Sequence, residues 1–185
     1  MTTDDHAAQL PVLVFMGVSG SGKSTVAGIV AGRLGWDLEK GDGLHPPANV
    51  AKMSAGTPLD DADRWPWLDA IGEWIRNSAG RRGGVVAASS LKRAYRDHLR
   101  AAAPLTVFVH LTGERPLIEE RMAARKGHFM PTTLLDSQFA TLEPLQRDEP
   151  GVVVDVSGSP AGITARALAA LHRLPVADNH ENPEN

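Results

Sequence analysis

The chain has 185 residues, 42% hydrophobic and 22% charged, a composition typical of one globular domain with a sizeable core. Its formal net charge of −3 provides no overall basic field for nucleic acid, and no apolar run approaches the roughly 20 residues of a membrane span. The absence of cysteine excludes disulfides and thiolate metal sites, and Met1–Pro11 is unlike a signal or transit peptide, which together fit a cytoplasmic protein.

A phosphate-binding loop is the most specific motif in the sequence. It follows a short apolar run of strand length and precedes apolar residues at helical spacing up to Leu34, with Gly35 as the predicted helix end. Strand, glycine-rich loop and helix are the context that the motif G-x-x-x-x-G-K-[ST] requires. The predicted nucleotide-binding residues are Gly17, Val18, Ser19, Gly20, Ser21, Gly22, Lys23, Ser24 and Thr25.

The chemistry of this loop explains its residue types. Glycines let successive backbone N–H groups turn inward as an anion nest, and the N-terminus of the next helix adds its dipole. Lys23 is predicted to reach the β- and γ-phosphates of a bound nucleotide, and the Ser24 hydroxyl to bind Mg²⁺.

A second short strand at 36–40 is predicted to end in a Gly- and Pro-rich loop over 41–47, before a helix at 48–55. Ligands bind at the carboxyl ends of strands in open α/β sheets, so Asp42 and His45 are placed to meet whatever approaches the γ-phosphate. From spacing alone, a solvated loop aspartate is an equally weighted alternative.

The next predicted helix runs to about Ser78, with Asp61 or Asp63 as its N-cap. Arg64, in its first turn, either pairs locally with Asp60 or faces the cleft. In the cleft, its planar guanidinium would suit a carboxylate or a phosphate.

Two later helices carry basic faces. Lys92 and Arg96 lie four residues apart after a buried strand, forming either a solvated face or part of an anion site. Arg121 and Arg125 share a face at the end of the following helix, before a Gly- and Pro-containing segment at about 126–133. This segment is interpreted as a lid over phosphates, with complementation of the helix dipole as the alternative role of the arginines.

The whole pattern predicts one domain at 11–174 with flexible tails at 1–10 and 175–185. Strands alternating with helices favour a three-layer α/β/α fold around a parallel sheet. The predicted strands cover residues 12–16, 36–40, 85–88, 105–111 and 152–156.

A phosphate loop specifies a nucleotide, not a reaction. A GTPase would need an Asn-Lys-x-Asp segment, which the sequence lacks, and a motor ATPase is disfavoured by the small size. Asp155 follows an apolar run, as does the aspartate that binds Mg²⁺ at the end of a strand in many nucleotide-binding proteins. Because Asp155 lies on the last predicted strand, its position in the chain favours a loop near the nucleotide base instead. A small-molecule kinase remains, with Asp42 as base or hydroxyl orienter. Its charge stabilisers would be Lys23, Arg121, Arg125 and Mg²⁺.

The sequence resembles the gluconate kinase (gluconokinase) family, P-loop small-molecule kinases related to nucleoside-monophosphate and shikimate kinases. The resemblance covers about Val12 to Leu171 and implies transfer of the ATP γ-phosphate to the 6-hydroxyl of D-gluconate. It also implies a five-stranded parallel sheet, a mobile lid and a homodimer. The matching stretches are GVSGSGKST (17–25), GDGLHPPANVAKMSAGTPLDDADRWPWL (41–68), SSLKRAYRDHLR (89–100) and RMAARKGHF (121–129).

The resemblance further implies residue roles. Asp42 would be the catalytic carboxylate with His45 beside it, and Arg64 would hold substrate oxygens. The sugar-acid pocket would be completed by Lys92, Tyr95 and Arg96. The groups closing over the phosphates would be Arg121, Arg125 and His128.

Two positions depart from the family pattern. Lys40 stands where an acidic residue is common, which removes a carboxylate that would help to hold Mg²⁺ through water, and Gly43 is smaller than expected. Two alternatives remain at this point: a kinase for shikimate or a nucleotide acceptor, and a non-catalytic ATP-binding module.

Overall fold

The computed structural model describes residues 10–79, 83–125 and 132–174. Five strands form a single sheet in the order β2-β3-β1-β4-β5, and every neighbouring pair is parallel. This confirms the expected five-stranded parallel sheet. The strands are β1 Val12–Met16, β2 Asp37–Lys40, β3 Gly84–Ala87, β4 Thr106–Thr112 and β5 Gly151–Asp155.

Helices alternate with these strands in the described part of the chain, and a 3₁₀ turn at Gly41–Leu44 follows β2. None of the helices in the described segments is long and apolar enough to cross a membrane. The helices are α1 Lys23–Leu34, α2 Pro47–Ser54, α3 Asp61–Ser78, α4 Arg93–Ala102, α5 Arg115–Ala123, α6 Thr132–Thr141 and α7 Pro160–Leu171.

The central strand β1 is buried on both faces, which explains its uninterrupted apolar sequence. Because successive side chains of a strand point to opposite faces, Leu13 and Phe15 pack in a core with α1 and α7. Val12, Val14 and Met16 pack in a second core with α3 and α4. The molecule therefore has the predicted three layers, with the carboxyl ends of all five strands at one edge.

The start of α3 differs from the prediction. Its N-cap is Asp60, not Asp61 or Asp63. Asp60 Oδ1 accepts a hydrogen bond from Asp63 N at 2.9 Å, and Asp63 Oδ2 accepts one from Asp60 N at 3.0 Å. This reciprocal capping box needs a side chain that accepts hydrogen bonds at both the N-cap and the N3 position, three residues apart, and Asp60 and Asp63 meet that need.

Some predicted features lie outside the described residues. These are His128, most of the expected lid (126–131) and nearly all of the two expected tails (1–9 and 175–185).

Candidate active site

The phosphate loop leaves the carboxyl end of β1 and leads into α1. Gly20 and Gly22 have φ angles of 81° and 89°, in the left-handed region that favours glycine. A side chain at Gly17 would place its Cβ 2.5 Å from the carbonyl oxygen of Leu111 on β4. The motif's glycines are therefore required both by the backbone turn and by the close approach of the loop to the sheet.

Lys23 occupies the first position of α1 and folds back over the loop, where its Nζ donates to the carbonyl oxygen of Val18 at 2.9 Å. Burial lowers the pKa of Lys23 to about 8; the Asp42 carboxylate opposes this shift and Arg125 adds to it. Three groups expected to act together, Lys23, Asp42 and Arg125, are thus close enough to influence one another's charge.

A cavity of about 260 Å³, the first cavity, opens on one side of the phosphate loop. Lys23, Asp42, His45 and Arg64 all line it, so the structure brings together the predicted base, its neighbouring histidine and the predicted anion-binding arginine. The apolar part of its wall is formed by Val50, Met53, Leu59, Leu91 and Leu134.

The loop that carries Asp42 is held against α3 by Trp67. The indole Nε1 donates to the carbonyl oxygen of Gly41 at 2.7 Å. The His45 ring stacks on the same indole, with ring centroids 4.4 Å apart and planes 9° apart. Trp67 is buried, so it provides a rigid floor beneath both His45 and the backbone before Asp42.

Arg64 is buried, and its Nη1 donates to the hydroxyl oxygen of Tyr95 at 3.1 Å. The Tyr95 hydroxyl in turn donates to Asp61, which also accepts from Lys92 Nζ at 2.9 Å. Hydrogen bonds from Tyr95 and Lys92 hold the pKa of Asp61 below its usual value. The bond of Arg64 is with Tyr95, not with Asp60 as one prediction had it.

This network changes how Lys92 and Tyr95 are interpreted. Neither residue lines the first cavity, whereas both contact Asp61, which sequence reasoning considered only as a helix cap. Their contacts support an indirect part in substrate binding, in which they hold Arg64 in place.

Arg96 occupies a different place from the predicted one. Its side chain is fully buried and forms a two-pronged ion pair with Glu149, with Nε to Oε1 at 2.6 Å and Nη2 to Oε2 at 2.9 Å. Its Nη1 also donates to the carbonyl oxygens of Ser90 and Glu143. Burial alone would raise the pKa of Glu149, but hydrogen bonds from Arg96 and from the backbone of Gln146 lower it. Arg96 lines neither cavity, so its contacts support a structural role.

A second cavity of about 320 Å³ lies on the other side of the phosphate loop. Arg121 and Arg125 line it together with Gly20, Gly22 and Thr25 of the loop and α1. Arg121 Nη2 donates to the carbonyl oxygens of Val156 and Gly158, in the turn after β5. The loop therefore separates a cavity with a carboxylate and an arginine from a cavity with two further arginines.

Sequence reasoning missed Gln138, on α6. Its Oε1 accepts from the backbone N–H of Ser19 at 2.7 Å, and its Nε2 donates to the Ser19 hydroxyl at 3.1 Å. The two residues are 119 positions apart, so no local pattern could have connected them. The side chain also lines the first cavity and links the helix after the expected lid to the phosphate loop.

Few side chains near the phosphate loop could bind a metal ion. Within the described residues, no three histidine, aspartate or glutamate side chains come together as a metal-binding group. Ser24 lies in the first turn of α1, the position that the motif gives to a metal-binding hydroxyl. Such a site suits a Mg²⁺ ion that arrives bound to phosphate oxygens and keeps most of its waters.

Known proteins resemble this chain over most of its length, although no family model matches it. It is 52% identical to a gluconokinase of Gluconobacter oxydans over 83% of this chain and 88% of that protein. It is 41% identical to the thermoresistant gluconokinase of Escherichia coli over 94% of this chain and 99% of that one. The crystal structure of a gluconokinase from Sinorhizobium meliloti superposes with a TM-score of 0.82 at 49% identity, covering 88% of this chain and 92% of the other.

Proposed function

This chain belongs to the gluconokinase family, and we propose that it transfers the γ-phosphoryl group of ATP to the 6-hydroxyl of D-gluconate, giving 6-phospho-D-gluconate. The observation that carries the proposal is the first cavity, where Asp42 and Arg64 lie beside Lys23 of the phosphate loop. A kinase of this type must place an acceptor hydroxyl in line with the γ-phosphoryl and neutralise the charge that develops there.

The nucleotide is proposed to occupy the phosphate loop and the second cavity. Its phosphates would accept hydrogen bonds from the loop N–H groups and from Lys23, with Arg121 and Arg125 beside them. The turn after β5, whose carbonyl oxygens at Val156 and Gly158 bind Arg121, would lie near the base. Arg125 is best placed to offset charge on the transferred group because it also acts on Lys23 electrostatically.

The acceptor is proposed to occupy the first cavity. Arg64 would bind the carboxylate of the sugar acid through its guanidinium, held by Tyr95 from behind. Asp42 would accept the proton of the 6-hydroxyl as that oxygen attacks phosphorus.

Mg²⁺ would be held by the Ser24 hydroxyl and the nucleotide phosphates, and would supply charge neutralisation on the phosphoryl oxygens. The exposed Lys40 cannot act as an acidic partner for its waters. The homodimer, the cytoplasmic location and the closure of residues 126–133 over the phosphates stay predictions.

A coupled assay of ADP release, with ATP and Mg²⁺, tests the proposal directly. We expect turnover with gluconate and little or none with shikimate, other sugar acids or nucleoside monophosphates. Asp42→Asn serves as the control, because it should bind ATP but not turn over. Preference for another acceptor would contradict the assignment of the first cavity, and ATP binding without turnover on any acceptor would favour a binding module.

A further inference from the structure

The side chain of Asn49 joins α2 both to α3 and to the loop that carries the predicted base. It is 3% exposed, and its Nδ2 lies 2.8 Å from the carbonyl oxygen of Asp63 and 3.3 Å from Nδ1 of His45. A backbone carbonyl oxygen can only accept a hydrogen bond. The atom facing Asp63 must therefore be the amide nitrogen, which determines the orientation of the carboxamide.

This orientation determines which nitrogen of His45 carries the proton. One hydrogen of Asn49 Nδ2 is used by Asp63, and the other faces His45 Nδ1, which must accept it. A neutral imidazole that accepts at Nδ1 carries its hydrogen on Nε2. Nε2 has no protein partner within the described residues, and His45 lines the first cavity.

The charges around the ring favour the same state. The charged groups that act on His45 are Asp42, on its own loop, and Arg64, on α3. Burial lowers the pKa of His45, the Asp42 carboxylate opposes this and Arg64 adds to it. The ring is therefore neutral near pH 7 and presents a single N–H donor, held flat against Trp67.

We propose that Asn49 is a positioning residue that holds His45 as its Nε2–H tautomer, so that His45 donates a hydrogen bond to an oxygen of the sugar-acid acceptor. This inference rests on the proposed function and adds to it a division of roles. His45 acts as a neutral donor, and Asp42 receives the proton of the acceptor hydroxyl. Without Asn49, the Nδ1–H tautomer would turn the Nε2 lone pair toward the acceptor, and Nε2 could then accept a hydrogen bond but not donate one.

The tautomer is measured by ¹⁵N NMR of the histidine rings in the full chain, with the His45 signals assigned from their loss in His45→Gln. In the wild-type protein we expect protonated Nε2 and unprotonated Nδ1. Asn49→Ala should give a mixture of tautomers. An Nδ1–H tautomer in the wild-type protein would overturn the proposal without any need for a variant.

Lys52→Met is the matched control. Lys52 also links α2 to Asp63, with Nζ 2.7 Å from Oδ1, but it does not contact His45. The Lys52→Met variant should leave the tautomer unchanged while removing another contact between the same two helices. Thermal melts of both variants, with Asn49→Ser as a milder replacement, show whether the fold is retained.

Kinetics test the donor role separately. Asn49→Ala should raise the KM for gluconate about threefold to tenfold, the effect of one hydrogen bond, with the KM for ATP unchanged. Asn49→Asp should raise the pKa of His45, because a carboxylate oxygen favours a protonated Nδ1, and should make the KM for gluconate depend on pH between 6 and 8. An unchanged tautomer and KM in Asn49→Ala would refute the proposal. If the wild-type protein does not act on gluconate, the proposed function fails, while the NMR result still decides the role of Asn49.

Discussion

Replacing Arg64 with alanine should weaken gluconate binding far more than ATP binding. Arg64 is 8% exposed, lines the first cavity and is absent from the residues that line the second. A hydrogen bond to a charged group contributes about 1.5–3 kcal/mol, and each 1.4 kcal/mol corresponds to about a tenfold change in binding. We therefore expect the KM for gluconate to rise about 10- to 150-fold, and the KM for ATP to change less than about threefold.

The assay is ADP release, with each substrate varied in turn at a saturating level of the other. Arg64→Lys should recover only part of the loss, because an ammonium keeps the charge but not the planar fork. Tyr95→Phe removes the hydroxyl that receives the Arg64 hydrogen bond at 3.1 Å, and should raise the KM for gluconate about twofold to tenfold.

Two results would refute this reasoning. Equal effects of Arg64→Ala on both KM values would show that Arg64 does not distinguish the two substrates. A larger effect of Tyr95→Phe than of Arg64→Ala would show that Tyr95 binds the substrate itself. Circular dichroism of each variant is the control, since both side chains are buried.

Four further predictions use the same protein. Asp42→Asn should lower kcat about 10²- to 10⁴-fold with ATP binding retained; a loss of only a few-fold would reduce Asp42 to a positioning role. Arg125→Ala should lower kcat and kcat/KM together, by roughly 10²-fold, if Arg125 acts only in the transition state, whereas a change confined to KM would contradict this. Arg96→Met should reduce the free energy of unfolding by about 3–5 kcal/mol in urea titrations, because it leaves Glu149 buried and unpaired, and adding Glu149→Leu should recover part of that loss. Burial lowers the pKa of His110 to about 4; Arg96 adds to this shift and Glu149 opposes it. As the pH falls, the His110 imidazole is therefore protonated in the unfolded chain before it is protonated in the folded one, and the free energy of unfolding should fall by roughly 3 kcal/mol from pH 6.5 to 4. His110→Gln should flatten that part of the profile of unfolding free energy against pH.

The phosphate loop and most element boundaries could be predicted because their causes are local. The phosphate loop is defined by glycines that lie between an apolar run of strand length and apolar residues at helical spacing. Gly35 ends α1 in a left-handed conformation, as predicted. The N-cap of α3 was predicted wrongly at Asp61 or Asp63, because several adjacent acidic residues satisfy the same composition rule. Only the reciprocal bonds between Asp60 and Asp63 distinguish them.

The basic residues show where sequence reasoning reached its limit. Arg64 and Arg96 both lie on helices; spacing left two roles open for each of them, and the family resemblance assigned both to the substrate. In the structure, Arg64 faces the first cavity, while Arg96 is paired with Glu149, 53 residues away. The difference depends on which group each guanidinium meets, the Tyr95 hydroxyl or the Glu149 carboxylate, and that is decided by the packing of distant segments.

The sequence by itself determined that this protein binds a nucleotide phosphate on a parallel α/β sheet, because those features arise from short-range patterns of glycine and apolar residues. The tertiary structure alone decided which side chains share the first cavity. It brought Gln138 to the phosphate loop and Asn49 to His45, and it linked Arg64 to Tyr95, and Tyr95 and Lys92 to Asp61. These contacts depend on how separate helices meet at one edge of the sheet, and hydrogen-bond partners brought together in that way leave no periodic trace in the sequence.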